Sequence, residues 1–214
     1  MATPSEVTLR VERPEDRRAV EELTREAFWN VHVPGCNEHF LVHLMREHAD
    51  FLPELSLVAE LNGRLVGNVM STRSWLRSGA RELATLTVGP VSVHPAHQRR
   101  GIGRKLLARV AELGRQQGFA AIVLYGHPHD YVGAGFRHGK DLGISAEDGS
   151  YPLGLLALEL IPGRLAGERW TAHLSSVFEV PPGLELFDAT FPPRDKSWRP
   201  SQELFSIALR ARLS

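Results

Sequence analysis

Cys36 is the chain's only cysteine in 214 residues, so no intramolecular disulfide can form, and no Cys/His spacing resembles a zinc site. A reducing cytoplasm is therefore the expected compartment. Net charge is missing too, since 25 Lys and Arg balance 25 Asp and Glu. Without an overall basic field the chain is not drawn to nucleic acid or to anionic membrane, which argues against both as partners. No apolar run is long enough to cross a bilayer, and residues 1–13 lack the basic-then-apolar order of a secretion signal. What remains is enough chain for a sizeable core, as one domain or one domain with an appendage.

Hydrophobic periodicity orders the chain as alternating strands and helices. Val7, Leu9 and Val11 alternate with polar residues, the period of a half-buried strand. Pro14 opens a helix with Val20, Leu23, Ala27 and Val31 on one face, and a second helix is expected over residues 38–48 with Leu41, Leu44 and Met45 inward. Strands over 56–61 and 65–75 flank Asn62-Gly63, a strong hairpin signal. A further strand over 83–93 is interrupted at Gly89-Pro90, where a bulge or splay is expected because proline has no N–H for the ladder. A helix from Gly101 to Gly118 and a buried strand over 120–125 complete a right-handed crossover between parallel strands, so the sheet is mixed. A strand is expected over 153–160. The Pro-rich, aromatic-rich remainder reads as a packed appendage ending in a helix through Leu204, Ile207, Ala208 and Leu213.

One segment carries chemistry. Val91-Ser92-Val93-His94-Pro95-Ala96-His97-Gln98-Arg99-Arg100-Gly101-Ile102-Gly103-Arg104 joins a strand, a glycine turn and a helix start. Backbone N–H groups in such a turn converge on one point, and the free N–H groups of the first helical turn add the positive end of the helix dipole. That is a site for an anion. It is neither a P-loop, which ends in Gly-Lys-Ser/Thr, nor a Gly-x-Gly-x-x-Gly dinucleotide fingerprint. A plain structural turn stays open on these residues alone.

The segment resembles the acetyl-CoA motif of the GNAT N-acetyltransferases, and Tyr131-Val132-Gly133-Ala134-Gly135-Phe136 is similar to their later Tyr-x-x-x-Gly-Phe element. Gly89-Pro90, Gly126-His127-Pro128 and residues 55–60 and 158–163 resemble the YhbS-like branch of that superfamily. The resemblance implies an α/β fold with a mixed central sheet whose two central parallel strands splay apart around the pantetheine arm. It implies a GNAT domain over residues 1–160 and an extension over 161–214 that forms a lid or a homodimer surface. The implied cofactor-binding residues are Val91, Ser92, Val93, Gln98, Arg99, Arg100, Gly101, Ile102, Gly103, Arg104 and Tyr131, holding acetyl-CoA, with no metal. The implied reaction is direct attack by a primary amine in a ternary complex, with an N–H near Val93 on the developing oxyanion.

For the catalytic residues, the resemblance makes Tyr131 the acid that protonates the departing thiolate, or else a packed aromatic at the cofactor. His127 is a candidate base or a turn cap, and Glu38 is a candidate base, a substrate contact or a solvated carboxylate. His94, His97 and Asp130 read as surface or turn residues. A coenzyme-A-binding regulatory module without turnover and an acyltransferase acting on a protein or aminoacyl-tRNA amine are the alternatives. Saturating acetyl-CoA, at roughly 100 times its dissociation constant, should stabilise the protein by about 2.7 kcal/mol and raise its melting temperature. Adenosine triphosphate should not; no shift with acetyl-CoA would refute the cofactor assignment.

Overall fold

Asn62-Gly63 closes the hairpin between β2 (Leu57–Leu61) and β3 (Arg64–Ser78), which pair antiparallel. Around that hairpin the computed structural model, which describes residues 6–179 and 181–213, builds a mixed sheet. Residues 1–5, part of the segment read for a secretion signal, and Ser214, the end of the expected extension, lie outside the described residues. β1 (Thr8–Val11) flanks β2, and β3 turns into β4 (Arg81–Val93), antiparallel along most of its length. The crossover helix α3 (Ile102–Gln116) then delivers β5 (Ala121–Tyr125) parallel to β4.

Three short pieces follow: α4 (Pro128–Tyr131), β6 (Arg137–His138) and β7 (Ile144–Ser145). β8 (Leu155–Glu159) lies antiparallel between β5 and β6. β9 (Trp170–His173) adds to the distal half of β3, beyond the part that β2 covers, and also pairs with β7. The short pieces carry too few residues for a period to show, which is why the sequence pattern fades after Phe136.

Strand alternation decides which layer each side chain joins. Leu57 and Ala59 of β2 and Val69 of β3 face α3, where they pack with Leu106 and Val110. Val58 and Met70, their neighbours in sequence, face the other way into a cluster with Val20 of α1 (Arg17–Phe28) and Met45 of α2 (Glu38–Met45). A third cluster, around Trp170, Ile144 and Leu155, fills the same opposite face further along the sheet.

Two helices depart from their expected faces. α2 stops at Met45, and its buried residues are His39, Phe40, Val42 and Met45, whereas Leu41 and Leu44 are only half-buried. The reason lies far away in sequence. Phe187, on α5 (Leu184–Asp188), and Phe191 pack on His39, and Phe187 also meets Phe40 and His43, so α2 is covered on a second side. The last helix, α6 (Pro200–Arg210), docks through Gln202 and Ala208 and leaves Leu204 56% and Ile207 45% exposed. Its anchors are polar: Gln202 donates to Asn30 O at 3.2 Å and Ser197 O at 3.0 Å, and Ser201 donates to Val31 O at 2.8 Å.

The grip of this extension on the helices is electrostatic at its centre. Asp188 accepts from Arg25 Nε at 2.7 Å, with both side chains largely buried, and Arg18 lies 3.6 Å over the Phe191 ring. His39 is fully buried beside this pair, its Nε2 3.2 Å from Asp188 but too bent for a hydrogen bond. Burial, aided by Arg25 and opposed by the charge of Asp188, pushes the imidazole down to about 4 from its ordinary 6.5. Between those values the unfolded chain takes up a proton that the folded chain refuses. Stability from this group is therefore complete above pH 6.5 and is lost as pH falls toward 4. Going from pH 7 to 5 should cost wild type about 2 kcal/mol more than it costs His39→Gln, as read from urea midpoints. Equal losses would show that His39 is not held neutral.

Candidate active site

β4 and β5 meet at one register point, Leu86 opposite Ile122, and diverge beyond it. β4 carries an extra residue at Gly89-Pro90, where its register with β3 slips between Ser71–Val88 and Val69–Val91. A bulge of this kind bends a strand, and Pro90 has no N–H to offer a neighbour. The Gly89–Pro90 peptide is cis.

The orientation of groups along the gap follows from a single bond. His94 donates its N–H to Val66 O on β3 at 2.9 Å. By alternation Ser92 also addresses β3, while Val91 and Val93 turn their N–H and C=O groups toward the gap. The Val93 carbonyl accepts from Gln98 Nε2 at 3.1 Å, which ties the glycine turn back to the strand. Ser92 is turned away from the gap: its buried hydroxyl donates to Thr24, which donates to Asn68, so it fastens α1 to the sheet.

At the turn, Arg99 and Gly101 take left-handed φ values of 61° and 80°. Lys105 is the first residue of α3 to bond back, to Gly101 O at 3.0 Å. The N–H groups of Ile102, Gly103 and Arg104 therefore stand outside the helix's own ladder, at its positive end, among the exposed side chains of Arg99, Arg100 and Arg104. A Cβ at Gly101 would meet nothing within 4 Å, so the glycine is required by its φ and not by space. Next to this turn a cleft of about 330 Å³ is lined by Arg104, Leu107, Ala108 and Arg115 of α3 and by Gly133, Ala134 and Leu158. Two arginines, Arg104 and Arg115, and one carboxylate, Glu112, stand around its otherwise apolar lining, and the Arg104 end adjoins the turn. A larger cleft of about 470 Å³ lies on the α1 side, but its lining includes neither residues 98–104 nor 126–136, and its Arg10 and Asp16 neutralise each other.

The far wall of the gap begins where β5 ends. Gly126 donates its N–H to Gly154 O at 2.9 Å, and a Cβ on it would lie 2.5 Å from Cε2 of Tyr131. Only glycine lets the Tyr131 ring pack onto the end of β5, where Phe136 meets it edge-on at 5.5 Å. Burial, with the charge of Asp130 added, raises the phenol well above its ordinary value. It keeps its proton at neutral pH, the state an acid requires. His127 caps α4: its Nδ1 accepts the His129 N–H at 3.3 Å. His94 does the same for Ala96 and pairs with Glu26 at 2.9 Å.

Glu38 opens α2. It accepts from the Asn37 N–H at 3.1 Å and the Cys36 thiol at 3.4 Å, and lies 2.6 Å from Nδ1 of His32. Burial opposes its ionisation, but His32, the local backbone and Cys36 outweigh that and hold the carboxyl below its ordinary value. The Cys36 thiol is pushed up by burial and then by Glu38, so it is inert as a nucleophile. His32 escaped sequence reasoning because it sits in a loop with no period or motif. Its ring stacks on Phe205 of α6 at 3.8 Å. Among the described residues no group of three His, Cys, Asp or Glu could hold a metal ion, and no helix is long and apolar enough to cross a membrane.

A splayed parallel pair followed by a left-handed glycine at a helix start defines a class. Residues 22–143 match the Acetyltransferase (GNAT) family, more than half of the chain, and the chain belongs to that family. In sequence it is similar to the uncharacterized N-acetyltransferase YjhQ of Escherichia coli (strain K12), 29% identical over 97 residues, 45% of this chain and 54% of that protein. The chain thus spans about half the length of this curated relative. In fold it is similar to the GNAT family N-acetyltransferase YhbS from Escherichia coli, solved with CoA: the TM-score is 0.72 at 21% identity, over 84% of this chain and 95% of that one. A GNAT family acetyltransferase from Brucella melitensis, solved with acetyl-CoA, gives a TM-score of 0.64 at 26% identity over 81% and 99% of the two chains.

The left-handed backbone at Gly101 yields a test. Gly101→Val places a β-branched residue at a φ of 80°, and should weaken acetyl-CoA binding by about tenfold or more, measured by calorimetry. An unchanged dissociation constant would make the turn a connector only.

Proposed function

We propose that the protein transfers an acetyl group from acetyl-CoA to a primary amine by direct attack in a ternary complex. The observation that carries this reading is the gap between β4 and β5, edged by the backbone of Val91 and Val93 and leading straight into the turn at Gly101. Acetyl-CoA supplies the acetyl group as a thioester. Val91 and Val93 hold the pantetheine arm along the open strand edge, and an N–H near Val93 steadies charge developing on the carbonyl oxygen. The amides of residues 102–104, with Arg99, Arg100 and Arg104, hold the pyrophosphate. Tyr131 gives its proton to the departing sulfur.

The domain over residues 1–160 carries this donor machinery, and the extension over 161–214 roofs the acceptor end. α6 supports that role, since its first residues bond to the loop at Asn30 and Val31, its last turn accepts from Gly154 through Ala208, and Ala211 just beyond it accepts from Leu153. One helix thus ties that loop to the end of β5. The lone thiol suits a reducing, cytoplasmic setting.

A panel of primary amines, followed by thiol release from acetyl-CoA, tests the reading. At least one amine should be turned over, and Tyr131→Phe should lower kcat about 10²-fold with acetyl-CoA affinity retained. Tight acetyl-CoA binding with no turnover of any amine would make the protein a coenzyme-A-binding module.

A further inference from the structure

Acetyl transfer to an aliphatic amine needs a base, because an ammonium of pKa about 10.4 must lose a proton before its nitrogen can attack. His127 spends a ring nitrogen on its own turn, and the Glu38 carboxylate is enclosed by partners. We infer that His32, in the loop between α1 and α2, is the general base at the acceptor site, and that Glu38 positions it. The inference rests on the acetyl-transfer reading above.

The tautomer follows from the partner. Glu38 is held ionised and can only accept, so at the 2.6 Å contact the hydrogen must sit on His32 Nδ1. Nε2 is then left with its lone pair. The ring is fixed by Phe205, stacked at 3.8 Å and 13°, and by Phe28 at 5.1 Å, yet it remains partly exposed. It is oriented like a base, with a carboxylate behind it and rings at its sides.

Its location follows from α6. Three residues beyond Phe205, a rise of about 4.5 Å, Ala208 O accepts from Gly154 at 2.8 Å, and Gly154 O accepts from Gly126, against which Tyr131 packs. Through α6 the loop that carries His32 is therefore tied to the end of β5, on which the Tyr131 ring packs. Glu38 of α2 is the ionisable group in contact with the ring among the described residues, and the Cys36 thiol lies behind it on the same carboxylate. The Lys196 stem lies against Gly35 and its ammonium 3.8 Å from Asp188.

In the step assigned, one ammonium proton passes to His32 Nε2 and the freed lone pair forms the C–N bond as the C–S bond breaks. Tyr131 protonates the sulfur, and the second proton leaving the nitrogen restores Tyr131. The products are the amide, the thiol of CoA and one proton, which His32 returns to solvent.

The test compares wild type, His32→Gln and Glu38→Gln with the panel amine that wild type turns over fastest, from about pH 5.5 to 9.5. His32→Gln should lower kcat/KM about 10²-fold at neutral pH and erase the imidazole limb, leaving a rate that tracks free amine. Glu38→Gln, by letting the hydrogen move to Nε2, should lower kcat/KM and weaken that limb, and acetyl-CoA affinity should hold in both. An unchanged pH profile in a folded His32→Gln protein overturns the inference. Long-range 1H–15N spectra of wild type give a readout independent of turnover: hydrogen on Nδ1 of His32 is expected, moving to Nε2 in Glu38→Gln. Hydrogen on Nε2 in wild type overturns the inference whether or not any amine reacts, whereas absence of turnover alone refutes the acetyl-transfer reading.

Discussion

Two parallel strands that should pair along their length touch at Leu86 and Ile122 and then part. Unsatisfied backbone groups are costly inside a protein, so a gap in the middle of a sheet persists only if something else satisfies its edges. The chain manages this in part by itself. Gln98 reaches back to the Val93 carbonyl, and the bulge at Gly89-Pro90 removes one donor outright. The rest of that edge is suited to a ligand that behaves as an extra strand. α3 starts where the gap opens, so strand edge, left-handed turn and helix end form one continuous polar surface.

The acceptor side depends on a different constraint. The loop between α1 and α2 has little apolar anchorage of its own, and the extension supplies it through Asp188 on Arg25, Phe187 and Phe191 around His39, and α6 over His32. A buried ion pair contributes little net stability, but removing one partner strands the other. The pair therefore acts chiefly as a register pin, fixing where the extension crosses the helices. α6 is held by amide and hydroxyl contacts and keeps Leu204 and Ile207 outside, an arrangement poorly suited to core packing. It is consistent with a roof that sits on a cleft.

The donor half was legible in the sequence because its requirements are local. Gly101 declares a glycine turn, Gly89-Pro90 an interrupted ladder, and the spacing of Ile102, Leu106 and Val110 the helix between two parallel strands. The acceptor half was not, because the contacts that the extension brings to it join residues more than 140 positions apart. Glu38 was singled out with three readings open, and its contact with His32 supports a fourth, that of positioning residue. His32 has no pattern to announce it, and its stacking on Phe205 depends on α6, whose apolar spacing pointed to Leu204 and Ile207 as the buried face. The same distance misdirected the reading of α2, where periodicity could not register the cover that Phe187 brings from the extension.

The claim on which the rest stands is that the open edge of β4 and the start of α3 hold acetyl-CoA. Amide hydrogen exchange with and without acetyl-CoA reads those groups directly. Slowed exchange at Val91, Val93 and Ile102 to Arg104, with β1 and the α1-side cleft unchanged, is the predicted result. Protection confined to that other cleft, or none along β4 at saturating ligand, would contradict the account.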